Sequence, residues 1–512
     1  DLTWRAWGDH NIDFPHQLYI SWRVSVGDIL YRDLEYVYGP ASQWLNGAIF
    51  WLFGVSYLTQ TMANLAFSLV IFFLIYFFVR DIFDEVSAIL ASLSFAMIHM
   101  FQHAEPFGCF NFLGPYCHEA VHGTLLLLVL VWLCSRKKIS PLNLFFQGLA
   151  CGVSFLMKPE YLLAGFLLMT FSFHRTGKRK KLLFFWVPGF LFPLFMSLIY
   201  FLAHAKFSFL DSLRATAASL IPLFGYGLAR TPFYEAAMGT DDLLQNLKAM
   251  GKALAFVCGA LGGGLFCDWI AKENRKKFWR VLFLIAITAI PLHFSFLWLS
   301  RAWPILCLAG IFFLICVRRK NLFEERTFLA AFLLGVWSVT LSAKIFFHPV
   351  FTMFGFYLLV PGTIFLSVLG YYLVPRWLKA RGIHPLAFRA VVILLLAFIS
   401  IQSMLLSIKF YDLKNLAIGS GDDAFFAFRD LAVPGTASAR LVKEALERVE
   451  RKTEPGSSVL AIPEGMMVNY LLRRRNPTPF LQSFILSTLY NFSGGSRAII
   501  AGLQEKKPDY IF

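Results

Sequence analysis

The sequence predicts a polytopic α-helical membrane protein, and three observations carry that prediction. Of 512 residues, 58% are hydrophobic and only 15% are charged, against about 25% charged in ordinary soluble domains. Runs of roughly 18 or more apolar residues recur along most of the chain, the length a helix needs to cross a bilayer. The basic residues fall in short tracts between those runs, at Arg136-Lys137-Lys138, Arg175 with Lys178 to Lys181, Lys272 to Arg280, Arg318-Arg319-Lys320 and Arg376 to Arg381. The formal charge of +16 therefore reads as the basic excess of cytoplasmic loops and not as a nucleic-acid-binding surface. A soluble globular enzyme, a disordered chain and a disulfide-stapled secreted module are excluded by the same composition.

Residues 1–40 are polar, aromatic and acidic, too hydrophilic to span. Residues 41–54, with Trp44 and Trp51, form a short amphipathic stretch that reads as an interfacial helix. Spans are predicted at 57–79, 86–103, 119–134, 142–157, 161–173, 182–203, 249–270, 280–299, 302–317, 327–346, 350–374 and 387–408, about twelve in all. Basic loops at alternate connections then place residues 1–56, the loops near 104–118, 158–160, 204–248, 300–301 and 347–349, and the tail from 409 on the outer side. One inside loop, Arg80 to Glu85, breaks the pattern by being net acidic. An outer Asp1 without a signal peptide or initiating Met leads us to expect one further N-terminal span, about thirteen in the intact protein. The tail alternates helix (Ala439 to Lys452, Gly495 to Glu505) and strand (Ser458 to Ile462, Asp509 to Phe512) and stops inside an element. It reads as a small outer α/β domain, truncated at its end. The organisation expected is thus an acidic first outer loop over 1–56, a transmembrane domain over 57–408 and the outer domain over 409–512. No zinc-ligand spacing occurs among the eight Cys. Cys109 and Cys117 share an outer loop, as a disulfide or as two buried thiols.

Ionisable groups near the bilayer and away from basic inside loops are default site candidates, because burying one costs ~2.5–3.5 kcal/mol on insertion scales. Here they gather on the outer side. The first loop carries Asp9, Asp13, Asp28, Arg32, Asp33 and Glu35, and the second carries Glu105, His118 and Glu119. Lys158-Pro159-Glu160 sits between two short spans, where Pro159 is expected to stop a helix. Arg301 stands nearly alone in an apolar outer turn. A carboxylate beside a membrane core suits a general base acting on an acceptor hydroxyl, and Lys or Arg suits a phosphate leaving group. Chemistry on a lipid-linked substrate at the outer leaflet follows.

The order Gly8-Asp9-His10-Asn11-Ile12-Asp13, Gly27-Asp28, Tyr38-Gly39-Pro40 and Leu52-Phe53-Gly54 resembles the first outer loop of the GT-C glycosyltransferases. The likeness is to the branch holding protein O-mannosyltransferases and the aminoarabinose transferase of lipid A. As motif it covers residues 8–54; as architecture, most of the chain. The resemblance implies transfer of a hexosyl or pentosyl group from a polyprenyl-phosphate donor to a glycan, lipid or protein acceptor, usually with inversion, at the outer face of a bacterial inner membrane. It makes Asp13 the catalytic base. The sequence departs from the branch in having Phe14 where many members have Glu, and in lacking the Lys of the "KPP" element, replaced by Tyr38-Gly39. Lys158 is our candidate phosphate contact. Glu160, Glu119, His118, Glu105, Arg301, Tyr38 and Glu35 complete the expected substrate-binding set. No obligate cofactor is expected: the outer loops carry no Asp-x-Asp, and a hard cation needs several oxygen ligands, although a divalent cation is the alternative.

Two rivals stand beside this reading. A lipid-linked polysaccharide ligase or polymerase usually carries its large outer loop late in the chain, whereas the acids here cluster early. A non-enzymatic transporter of lipid-linked sugars predicts mid-span charge and inverted repeats, and neither is visible.

Overall fold

The computed structural model describes residues 3–105, 108–136, 138–176, 179–220, 231–270, 295, 297–318, 322, 324–430, 438–462, 465–479 and 500–512. Ahead of the bundle come α1 (Asp13–Ser25) and α2 (Ala41–Phe53). The bundle is built from α3 (Tyr57–Ile82), α4 (Glu85–Ser94, continued as a π-helix to Met100), α5 (Glu119–Cys134), α6 (Pro141–Phe155), α7 (Pro159–Thr176) and α8 (Arg179–Ile199). After the short α9 (Phe209–Thr216) and α10 (Pro232–Met238) it resumes with α11 (Leu243–Ile270), α12 (Trp303–Arg318) and α13 (Arg326–Ser342). It ends in a broken helix, α14 (Gly355–Leu358), α15 (Val360–Val368) and α16 (Val374–Lys379), and in α17 (Leu386–Asp412). Among the described residues, seven helical segments are long and apolar enough to cross a membrane, and four more are apolar but shorter. The chain is a polytopic α-helical membrane protein. The span predicted at 280–299 falls almost wholly outside the described residues.

Side-chain caps explain where several helices begin. Ser56 accepts from the Thr59 N–H (3.0 Å), Asp84 from Ser87 (2.7 Å) and Ser140 from Asn143 (3.1 Å), each satisfying a backbone donor that the first turn leaves unpaired. Pro159 differs from its expected role. It does not stop α6, which ends at Phe155; it opens α7, where its missing N–H costs nothing and its fixed φ suits a first turn. The break it marks is therefore Leu156-Met157-Lys158, a non-helical corner. The span predicted at 350–374 begins at Gly355, runs on to Lys379, and is interrupted ahead of Pro361 and by a π-helical turn at Leu369–Leu373.

The two ends of the bundle are chemically distinct. At one end Arg326 pairs with Asp81 (2.7 Å) and reaches the Ser135 carbonyl (3.2 Å), so the acidic 80–85 loop is met by a cation from another connection. At the same end Asp268 accepts from the N–H groups of Ala387 (3.0 Å) and Phe388 (2.9 Å), capping α17 from α11. The other end gathers the candidate site residues.

The tail packs on the first loop instead of standing apart. An antiparallel pair β1 (Leu416–Ile418) and β2 (Phe425–Ala427) is followed by α18 (Ala439–Lys452), β3 (Val459–Leu460), α19 (Met466–Leu471) and β4 (Tyr510–Ile511), with β3 and β4 parallel. One hydrophobic cluster joins Phe14, Leu18, Tyr19 and Tyr57 to Phe425, Val449, Met466 and Tyr470. Tyr57 stacks on Phe425 at 5.0 Å, and the Tyr19 hydroxyl accepts from the Asn476 N–H at 2.8 Å. The helix expected at Gly495 to Glu505 lies only in part within the described residues.

Candidate active site

Asp13 is the first residue of α1 and is half-buried. Its placement is set by the segment before it. The buried Asp9 carboxylate accepts from the N–H groups of His10 (2.8 Å) and Gly108 (2.8 Å). Lys414, at the end of α17, donates to the carbonyls of Ala6 (2.8 Å) and Gly8 (2.7 Å). These contacts pin residues 6–10 between the second loop and the tail. Burial pushes the Asp9 carboxyl up, but His10, Lys414 and His103 together hold it well below the carboxylate range. Asp9 is thus a fixed anion with its lone pairs in use. Asp13 is the contrast. Among the described residues nothing hydrogen-bonds its carboxylate, and burial raises it to about 6 against the pull of Lys158, with Asp9 adding to the rise.

Lys158 occupies the corner between α6 and α7 and is 1% exposed. Its ammonium donates to the Tyr116 hydroxyl (3.1 Å) and to Cys117 Sγ (2.9 Å), and it lies 4.0 Å from the centroid of the Tyr38 ring. The Tyr38 ring is brought there by its neighbour. The Gly39 N–H donates to Met157 O (2.8 Å) and the Ala41 N–H to Leu156 O (3.0 Å); a Cβ on Gly39 would stand 2.2 Å from Leu156 O. Only glycine lets the Tyr38-Gly39-Pro40 segment dock on the corner that carries Lys158. Lys158, from the corner between α6 and α7, is thus enclosed by a first-loop tyrosine. Cys117 and Cys109 are both free, buried thiols.

Two carboxylates flank this cation. Glu160, in the first turn of α7, accepts through Oε1 from Lys344 Nζ (3.2 Å) and from the Tyr357 hydroxyl (2.8 Å). Glu119, the first residue of α5, accepts from the Tyr36 hydroxyl at 2.5 Å, while its Oε2 is buried without a partner. Tyr36 belongs to a chain of buried amides: Gln43 Nε2 donates to Gln17 Oε1 (2.6 Å) and to Tyr36 (3.0 Å), and His118 Nδ1 lies 3.1 Å from Gln17 Oε1. Gln17 and Ser21 follow Asp13 at four-residue intervals, so all three share one face of α1. His118 Nε2 is also buried without a partner.

Asp13, Tyr38, Glu119, His118, Lys158 and Glu160 are thus brought together, and Arg301 and Glu105 are hydrogen-bonded to other residues. Arg301 lies farther along, donating to Asn246 Oδ1 (2.8 Å) and Phe347 O (3.4 Å). Glu105 is half-buried and hydrogen-bonded to Thr352. The backbone of Glu35 meets the tail, its N–H donating to Pro479 O at 2.9 Å, and Asp33, two residues before it, pairs with Arg32 at 2.8 Å. The sequence reading missed Gln17, Tyr36, Gln43, Tyr116 and Lys344. Lys344 alone left a signal, an isolated cation at the outer end of an apolar span. The others are uncharged residues whose meeting depends on the fold. Among the described residues no group of three or more His, Cys, Asp or Glu side chains converges as a metal-binding set.

Fold and site together define a helical membrane protein with a buried cation and, at the same end of its bundle, a carboxylate that has no hydrogen-bond partner among the described residues. No protein-family model and no curated protein matches the chain. Among solved structures it is similar to the Archaeoglobus fulgidus oligosaccharyltransferase in complex with zinc and sulfate, at 13% identity and a TM-score of 0.47, over 93% of this chain and 59% of that one. A second structure of an oligosaccharyltransferase from that archaeon, AglB with an inhibitory peptide and a dolichol-phosphate, gives 14% and 0.45 over 98% and 65%. ArnT from Cupriavidus metallidurans in the apo state gives 14% and 0.40 over 99% and 87%. The chain therefore spans less than two thirds of the two archaeal structures. Both kinds of protein are GT-C glycosyltransferases, and the likeness is a distant one of overall architecture.

Proposed function

We propose that this protein is a glycosyltransferase that moves a sugar from a polyprenyl-phosphate donor to an acceptor hydroxyl at the outer face of the cytoplasmic membrane. The observation that carries the reading is the pairing of Asp13, whose carboxylate has no hydrogen-bond partner among the described residues, with the enclosed Lys158 charge at the same end of an apolar bundle. A carboxyl raised to about 6 is mostly ionised at neutral pH and basic enough to take a proton. In this mechanism the acceptor hydroxyl gives its proton to Asp13 as its oxygen bonds to the sugar C1 from the side opposite the phosphate. The C1–O bond breaks, and the phosphate leaves with the electron pair, drawn by the cations of the Lys158 region. Attack and departure on opposite faces invert the anomeric centre. Glu119 and His118, each with one unpartnered buried atom, and Glu160 are the groups on which substrate hydroxyls would be held. No step requires a metal.

The test is the full chain in lipid nanodiscs, supplied with radiolabelled polyprenyl-phosphate sugars and scored for release of polyprenyl phosphate. Asp13→Asn should lower turnover by about 100-fold or more. Full turnover by that variant would remove Asp13 as base, and absence of turnover by the unaltered protein across hexosyl and pentosyl donors would overturn the transferase reading in favour of a carrier.

A further inference from the structure

We propose that Lys344, and not the enclosed Lys158, is the residue that hydrogen-bonds the phosphate of the donor; the inference rests on the polyprenyl-phosphate reading above. A lysine ammonium has three N–H donors. Those of Lys158 are taken: one goes to Tyr116, one to Cys117, and the third direction is closed by the Tyr38 ring at 4.0 Å. The side chain is 1% exposed. A phosphate could reach this nitrogen only by opening the tyrosine cage. Lys158 contributes a fixed charge and no free donor.

Lys344 is placed the other way. It lies just past α13, in the 3-10 turn Ala343–Ile345, and its side chain is 33% exposed. Among the described residues its one hydrogen-bond partner is Glu160, at 3.2 Å, and the Phe354 ring centroid lies 5.5 Å away, on one side only. Two N–H donors are therefore left to an incoming anion. Glu160 fixes the direction of the ammonium and is itself held by Tyr357 at 2.8 Å, so the lysine is oriented before any ligand arrives, which reduces the ordering cost of binding. The place is also right. The Tyr357 hydroxyl that holds Glu160 belongs to a ring 5.5 Å from the Lys158 ammonium, which puts Lys344 beside the Lys158 end of the candidate site. The ligand chemistry follows from the surroundings: a single phosphate on an apolar tail, its charge met by one accessible lysine backed by a buried one.

The experiment measures binding of undecaprenyl phosphate and of the uncharged alcohol undecaprenol to the full chain in nanodiscs. Lys344→Gln should weaken undecaprenyl phosphate binding by about ten-fold or more, leave undecaprenol binding unchanged and leave the melting temperature close to that of the unaltered protein. Lys344→Arg, which keeps the charge, should retain most of the binding and guards against a Gln variant that merely misfolds. Unchanged phosphate binding in Lys344→Gln would overturn this inference and leave the transferase reading standing. An unaltered protein that binds the phosphate no better than the alcohol would overturn both.

Discussion

Replacing Asp13 by Asn separates a catalytic carboxylate from one that merely opens a helix, because the two roles predict opposite changes in stability. Raising the Asp13 carboxyl from its ordinary 3.8 to about 6 costs about 3 kcal/mol of folding stability at neutral pH, at about 1.36 kcal/mol per pH unit. The side chain is only half-buried, so solvent screening reduces this to about 2 kcal/mol. Asn removes that penalty. It also gives up the attraction between a first-turn carboxylate and the helix dipole, about 0.3–1 kcal/mol. The net expectation is a variant about 1–2 kcal/mol more stable at pH 7.5 and about 100-fold or more slower in sugar transfer. The pH dependence has a definite sign. The folded carboxyl holds its proton to a higher pH than the unfolded one, so stability falls as pH rises from about 4 to about 6 and then levels. Turnover rises through about pH 6 as the base is exposed. Asp13→Asn should flatten both limbs. Thermal unfolding in nanodiscs across pH 4.5–8, beside the transfer assay on the same samples, reads both. A less stable Asn variant, or one that keeps the ascending limb of the rate profile, would refute the reasoning.

Tyr36→Phe removes the hydroxyl that Glu119 accepts at 2.5 Å, leaving a buried carboxylate with neither oxygen satisfied; thermal unfolding should show a loss of about 1–3 kcal/mol. Gly39→Ala brings a methyl to 2.2 Å from Leu156 O, so the Tyr38 segment must lift from the Lys158 corner, and thermal unfolding should show a loss of about 1–3 kcal/mol. Lys158→Met strips the charge from between Glu119, Glu160 and Asp13 and should cost about 3 kcal/mol or more in thermal unfolding. Asp268→Ala uncaps α17 at the far end of the bundle; a loss of about 1–2 kcal/mol with unchanged turnover per folded molecule is expected.

The parts of the site that could be read from the residues are those where charge is out of place. Asp13, Glu119, Lys158 and Glu160 stand at the ends of apolar runs, and a charge beside a bilayer is costly enough to need a reason. Asp33 and Arg32, adjacent in the chain, pair with each other at 2.8 Å. Glu105 and Arg301 satisfy the same rule, and their side chains hydrogen-bond to Thr352 and to Asn246. Tyr36, Gln17 and Gln43 carried no such signal, since an uncharged polar residue in a loop is unremarkable until its partners are known.

Composition and periodicity alone determined that this chain is a bundle of apolar helices and roughly where most of the long apolar ones begin and end, because those properties follow from local hydrophobicity, caps and prolines; the short polar helices, α1 with Asp13 among them, were not legible. Tertiary structure alone decided which charges are usable. Lys158 and Lys344 look alike as letters, each an isolated cation at the end of an apolar run. One is closed in by three tyrosines and a thiol drawn from three separate segments, and the other keeps two donors open. Burial and hydrogen-bond occupancy depend on contacts between residues up to hundreds of positions apart, and no spacing along the chain encodes them.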